Sequence, residues 1–364
     1  MKFRCERDVL VEALGSAGRA VSSRGGALPV LSGIRAELVG DDLLLTGSDT
    51  DLTIHVSVQV SGETDGVTVL PGRLAGEIVR ALPPGAVVVD IGEEEANITS
   101  GRAEFAIRVL PADEYPRLSE ASGEPVTLEA AELATALKQV VPAASADDAR
   151  PILTGVLVAA ENGGLRLVAT DSYRLAVRDL PGANVLAEGQ HVLVPSRALA
   201  ELSRALGGSS SVELRLGEHD ASFAVGNLRL TTRLIEGDFP NYRGLIPSTY
   251  PNLMTVGREA LLEALRRVKL MAREATPVRL VMSPEGLELV AITQDVGQAH
   301  EAVDAKFEGN ELTVAFNADY LLNGIEVTPG DEVVIATLDA LKPAVLRSSE
   351  GDDFLYLLMP VRVS

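Results

Sequence analysis

Val168-Ala169-Thr170-Asp171-Ser172 closes a strand-like apolar run in a small polar turn, and the chain writes this phrase three times. It reads Leu45-Thr46-Gly47-Ser48-Asp49 in the first copy and Val290-Ala291-Ile292-Thr293-Gln294 in the third. Two more phrases recur at the same interval. Val69-Leu70-Pro71-Gly72-Arg73 and Val194-Pro195-Ser196-Arg197 each open a helix, and Leu110-Pro111-Ala112-Asp113-Glu114-Tyr115-Pro116 is matched by Ile235-Glu236-Gly237-Asp238-Phe239-Pro240. The interval of roughly 120 residues is far longer than the 20–50 of solenoid units. It is the length of a whole domain, so the chain reads as one domain fold written three times.

Each copy follows one order. A short strand leads into an amphipathic helix, over Asp8–Val21, Glu129–Val141 and Arg258–Leu270. In the third of these Leu261, Leu262, Leu265 and Val268 recur at helical spacing and leave Arg266, Arg267 and Lys269 on other faces. Alternating strands such as Leu52-Thr53-Ile54-His55-Val56-Ser57-Val58 come next, then a second helix over Arg73–Leu82, Ser196–Leu206 and Ala318–Glu326. Proline precedes the first two of these, and a helix start does not need the N–H that proline lacks. More strands follow, including Val212–Leu216 and Val333–Thr337. Pro- and Gly-containing segments at Tyr115–Pro125 and Leu245–Pro251 mark linkers. Domains are expected over residues 1–121, 122–247 and 248–364, of α+β class, each with two helices on half-buried antiparallel sheets.

Composition narrows the class. An apolar fraction of 46% with 23% charged residues is that of a globular protein and too apolar for disorder. No apolar run reaches the roughly 20 residues of a membrane helix, and Met1-Lys2-Phe3-Arg4-Cys5-Glu6 lacks a signal-peptide core. The lone Cys5 forms no internal disulfide, so a reducing cytoplasm suits the chain. A formal net charge of −20 argues against a simple nucleic-acid binder, which carries a basic excess.

Catalytic constellations are not visible. His55, His191, His219 and His300 are scattered, with no metal-binding pair, and no phosphate loop, dinucleotide fingerprint or nucleophile elbow is present. Asp49 and Asp171 recur in register, which fits turn capping by a carboxylate better than catalysis. The enzymatic alternative is a hydrolase or transferase at a domain junction using Asp171, Tyr173 and Arg174, and no histidine lies near that phrase to act as its base.

Charge location matters more than the sum. The six helices with their caps carry ten basic residues, from Arg19 to Lys269, and ten acidic ones, so nearly all of the −20 lies on strands and loops.

The phrases taken together resemble the β sliding clamps of bacterial DNA polymerase III, along the whole chain. The most specific are Leu28-Pro29-Val30-Leu31, Thr170-Asp171-Ser172-Tyr173-Arg174-Leu175-Ala176-Val177, Gly237-Asp238-Phe239-Pro240-Asn241-Tyr242-Arg243 and the C-terminal Tyr356-Leu357-Leu358-Met359-Pro360-Val361-Arg362. The resemblance implies a ring-shaped head-to-tail homodimer with helices lining a hole for duplex DNA and sheets outside. Near-neutral helices would then face phosphate, and enclosure would replace affinity, since each neutralised phosphate adds about 0.9 to the salt slope and slows sliding. It implies no catalysis, no cofactor and no metal. The implied partners are double-stranded DNA held without sequence preference, the replicative polymerase, the clamp loader and repair proteins.

Carried over residue by residue, the resemblance places a partner-peptide groove at Leu153, Thr170, Ser172, Tyr173, Arg174, Leu175, Pro240, Leu245, Leu358, Met359, Pro360, Val361 and Arg362. It places Arg24, Arg73, Arg80, Arg150, Arg197 and Arg266 toward DNA, with the glycine-rich Arg24–Ala27 segment as a loop entering the hole. It sets Phe105 and Ile107 against Leu270 and Met271 of a second copy, with an ion pair from Arg102 to an acid such as Glu301. The chain departs from its relatives at Glu104, where they carry a base, and at Pro151-Ile152, where they place aromatic residues near DNA.

Overall fold

A computed structural model describes residues 1–22, 28–116, 123–272 and 276–362. The threefold order appears directly. Among the described residues six α-helices form: α1 (Arg7–Gly18), α2 (Gly72–Ala81), α3 (Ala130–Val140), α4 (Ser196–Ala205), α5 (Arg258–Lys269) and α6 (Ala318–Val327). In every copy a strand precedes the first helix, further strands separate the helices, and three strands follow the second helix. The expected boundaries hold within a residue or two, except that α1 starts at Arg7 and ends at Gly18, before the expected Val21.

Burial explains each element. In α5 Leu261, Leu262, Ala264, Leu265 and Val268 are buried while Arg266 and Arg267 are exposed, the period that the sequence carries. Each fully buried leucine contributes about 1.5–3 kcal/mol. The Leu52–Gln59 strand alternates: Leu52, Ile54, Val56 and Val58 point inward. Helix α6 has a side-chain cap, Asn317 Oδ1 accepting from the amides of Asp319 and Tyr320 at 2.9 and 3.1 Å.

The chain forms two compact units, Met1–Ala131 with Glu201–Leu234, and Glu132–Ala200 with Ile235–Ser364. They cut across the three copies because two of the sheets each take strands from two copies. In the first unit an eight-stranded sheet joins Leu228–Arg233 to Leu52–Gln59, pairing Leu230 with Ile54. A five-stranded sheet of the same unit ends on the edge strand Ala103–Arg108. Its helices are tied by Glu201, whose carboxylate meets Arg19 Nε at 2.6 Å and also pairs with Arg204.

In the second unit a nine-stranded sheet joins Arg174–Pro181 to Phe354–Leu358, pairing Ala176 with Tyr356. A four-stranded sheet there ends on Gly297–Val303. A core of Leu157, Val168, Leu175, Leu193, Tyr242, Val345 and Leu357 lies against the nine-stranded sheet, with Phe239 and Ile246 packed on it.

Candidate functional site

The phrase that opens the sequence reading builds the centre of the site. Asp171 Oδ1 accepts the amides of Tyr173 and Arg174 at 2.9 and 3.0 Å, which closes a tight turn after the Gly164–Thr170 strand. Asp49 Oδ1 does the same for Asp51 and Leu52 at 3.2 and 2.9 Å. The two recurring aspartates are therefore turn formers, as the sequence suggests. The residue after each aspartate has positive φ, Ser172 at +81° and Thr50 at +83°.

The Arg174 side chain is largely buried and used internally. Its Nε donates to Asp171 Oδ2 at 3.0 Å and its Nη1 to the Tyr356 hydroxyl at 3.4 Å, while its guanidinium carbon lies 4.3 Å from the centre of the Tyr320 ring. Tyr356 in turn donates to the Tyr320 carbonyl at 3.1 Å. Its hydroxyl sits beside the positive guanidinium, yet burial dominates and pushes its pKa up to about 12. Gly324 makes the close packing of α6 possible, since a Cβ there would lie 2.5 Å from the Tyr356 ring. Above this layer Tyr173 is 59% exposed, its ring 6.4 Å from that of Tyr320.

The C-terminal segment completes the wall. After the Phe354–Leu358 strand, the Met359 amide donates to the Tyr173 carbonyl at 2.9 Å and the Val361 amide to the Ala315 carbonyl at 2.8 Å. Met359 and Val361 keep exposed side chains, and Pro360 is partly buried. Ahead of the linker, Tyr242 anchors in the core while Pro240 and Leu245 stay exposed. Leu153 lies on the Pro151–Thr154 turn, its carbonyl accepting the Ser145 amide at 2.8 Å.

All thirteen groove candidates thus belong to the second unit, and hydrogen bonds join the Thr170–Leu175 stretch to the C-terminal segment. Thr170, Leu175 and Leu358 are buried, so they shape the surface from beneath. Arg362 is exposed.

Two residues at this end of the sheet escaped sequence reading. Tyr320 supports both Tyr173 and Arg174, and only its place one turn into a helix hinted at it. Leu341, 69% exposed, sits in the loop that leads to Ala344, the strand partner of Leu358. A Leu-x-x-Leu pair, Leu338 and Leu341, in a polar loop was its visible signal.

The other candidates are spread over both units. Arg73 and Arg80 on α2, Arg197 on α4 and Arg266 on α5 are exposed. Arg73 pairs with Glu77 and Arg266 with Glu326, each at 2.8 Å. Arg24 lies outside the described residues. Arg150 is turned toward the groove, its Nη1 donating to the Asp171 carbonyl at 3.4 Å and to Ser172 Oγ at 3.3 Å. Phe105 is exposed on its edge strand while Ile107 is buried. Leu270 is 75% exposed and Met271 partly so. Arg102 is exposed, and Glu301 is already paired within the chain, Arg267 Nε lying 3.0 Å away. That guanidinium holds the Glu301 carboxyl below its ordinary range.

Among the described residues no cluster of three or more His, Cys, Asp or Glu is placed to hold a metal, and no helix is long and apolar enough to cross a membrane. The enzymatic alternative at Asp171, Tyr173 and Arg174 finds no support, because both Asp171 oxygens are engaged by the turn amides and Arg174.

Comparison with known proteins agrees along the whole length. Models of the N-terminal, central and C-terminal domains of the DNA polymerase III beta subunit match residues 1–119, 127–241 and 243–362. The chain belongs to the beta sliding clamp family. It is 35% identical to the beta sliding clamp of Streptomyces coelicolor, with all of both chains covered. The clamp of Staphylococcus epidermidis is 32% identical over all of this chain and 99% of its own. Among solved structures, the Bacillus subtilis DNA polymerase sliding clamp superposes with a TM-score of 0.91 at 32% identity, covering 100% of each chain. A Pseudomonas aeruginosa clamp bound to griselimycin gives 0.90 at 28%, also covering 100% of each. The fold is therefore that of the sliding clamps, and the function is that of a non-catalytic replication processivity factor.

Proposed function

We propose that this chain closes as a head-to-tail homodimeric ring around duplex DNA in the cytoplasm, and holds the replicative polymerase, the clamp loader and repair proteins through short peptides. The observation that carries closure is the repeat order of the sheets. Inside the chain, the third strand after a copy's second helix pairs with the third strand after a first helix: Leu228–Arg233 with Leu52–Gln59, and Phe354–Leu358 with Arg174–Pro181. The remaining strands of those two kinds are Ala103–Arg108 and Gly297–Val303, and both are sheet edges. Pairing them between two copies repeats the internal rule and removes two exposed edges at each joint. Phe105, Ile107, Leu270 and Met271, with Arg102 and Glu301 at the rim, belong to that joint on this reading.

Residues 1–121, 122–247 and 248–364 are the three domains of this scheme, and Arg24, Arg73, Arg80, Arg197 and Arg266 its DNA-facing candidates, whereas Arg150 is engaged by the Asp171–Ser172 turn. The thirteen-residue groove receives partner peptides. Its exposed Tyr173, Leu245, Met359 and Val361 supply apolar contact, and methionine adapts to several ligands. Retention tests the function: clamp loaded on a nicked circle stays bound and slides off once the circle is cut to a linear form. Equal retention on both substrates would refute encirclement.

A further inference from the structure

We propose that Arg150 is a positioning residue of the partner groove, pinning the Asp171–Arg174 turn that presents Tyr173 and Arg174. The inference rests on the groove reading above. Four hydrogen bonds place the guanidinium between two loops. Its Nε donates to Asp147 Oδ2 at 3.0 Å and its Nη2 to Ser145 Oγ at 3.4 Å, while its Nη1 reaches the Asp171 carbonyl at 3.4 Å and Ser172 Oγ at 3.3 Å. A planar fork with several fixed donors can hold four acceptors at once, and an ammonium on a flexible stem cannot reproduce the pattern.

The turn needs such support. Ser172 has φ +81°, a left-handed conformation that disfavours a residue with a side chain. Both Thr50 and Ser172 receive local help, their amides donating at 3.1 Å to Ser48 Oγ and Thr170 Oγ1. Among the described residues, an arginine from outside reaches the turn of the second copy. The residue before the matching proline is Leu28 in the first copy, Arg150 in the second and Thr276 in the third, ahead of Pro29, Pro151 and Pro277. Leu28 is exposed and offers no donor, and Thr276 receives the Thr293 hydroxyl at 3.2 Å. The arginine therefore occurs in the copy whose turn carries the groove.

Fixing that turn lowers the ordering cost of binding, so its loss appears mainly as faster peptide release. The same donors cannot serve a DNA phosphate while they hold the turn, which separates this role from the DNA-facing expectation for Arg150.

The test uses the full-length clamp and a fluorescein-labelled clamp-binding peptide of the cognate replicative polymerase, read by anisotropy. Arg150→Ala is expected to weaken binding about tenfold, equivalent to roughly 1.4 kcal/mol, with Arg150→Lys only partly restoring it. In a Ser172→Gly background the same Arg150→Ala change should cost less than about threefold, because glycine holds positive φ unaided. Hydrogen exchange at the Tyr173 and Arg174 amides should rise in Arg150→Ala while the rest of the chain is unchanged. Deletion of residues 359–364 serves as the control for the groove itself. If that deletion leaves affinity intact, the groove reading fails. If it abolishes binding while Arg150→Ala stays within about twofold of the parent, or if Arg150→Ala costs the same in both backgrounds, the positioning role is overturned and the groove stands.

Discussion

The main-chain amide of Met359 donates to the carbonyl of Tyr173 over 2.9 Å, and Arg233 makes the same bond to Asp51 in the first unit. One strand-end contact is thus used twice with different side chains around it. Thr50, Asp51 and Leu52 surround the first, and Ser172, Tyr173 and Arg174 the second. Deleting residues 359–364 removes the Tyr173 contact, the Val361–Ala315 bond and the Met359 wall together. Peptide binding should be lost while native mass still reports a dimer. A monomer, or unchanged affinity, would contradict this assignment.

Tyr173→Ala tests the exposed side of the groove. An aromatic anchor at the centre of an interface is worth about 2 kcal/mol or more, so affinity should fall about thirtyfold. The side chain is 59% exposed, so the melting temperature should barely move. Calorimetric titration and a thermal melt separate the two effects.

Asp171→Ala should act on stability instead. The Asp171 and Arg174 side chains are only 9% and 11% exposed, and removing one partner of a buried pair typically costs about 3–5 kcal/mol. Two turn amides also lose their acceptor. The expected result is a destabilised second unit, seen as an earlier transition in urea, with peptide binding lost as a consequence.

Leu270→Asp addresses the joint. An acid at a position now 75% exposed leaves the isolated chain intact but cannot be buried without a partner. Native mass should fall from twice the 38.3 kDa chain mass to 38.3 kDa. Retention on nicked circles should fall with it.

Alkaline pH should loosen the layer beneath the groove. Tyr356 ionises near 10 when unfolded and near 12 when buried, so the folded state holds its proton longer. That stabilisation is present below pH 10 and is lost as pH rises through about 12. Tyr115, buried against the Thr46 carbonyl, is shifted in the same direction. Tyrosinate absorbance should therefore lag behind that of free tyrosine and appear together with unfolding, and Tyr356→Phe should weaken the alkaline loss.

The threefold order and the helix faces were legible because apolar periodicity is local, as Leu261, Leu262, Leu265 and Val268 illustrate. The turn role of Asp49 and Asp171 was legible for the same reason, since their acceptors reach only two or three residues ahead. Arg174 was harder. The resemblance placed it in the partner-peptide groove, whereas its guanidinium is engaged within the chain by Asp171, Tyr356 and Tyr320, partners up to 182 positions away. The Arg267–Glu301 pair, 34 positions apart, was equally hidden. Pairings set by tertiary packing leave no periodic trace.

The two sheets that each run through a pair of copies have a geometric consequence. A contact that uses a different edge at each end of the chain is open-ended, because every added copy exposes a fresh edge of the same kind. Such a series stops at two chains only if each contributes half a revolution; another closing angle gives a larger ring, and one that does not close winds into a filament. Strand twist and coiling within the eight- and nine-stranded sheets contribute to that angle. A bulge inserted at Ile54 or Ala176 could therefore change a circle into a helix while leaving the adhesive strands untouched.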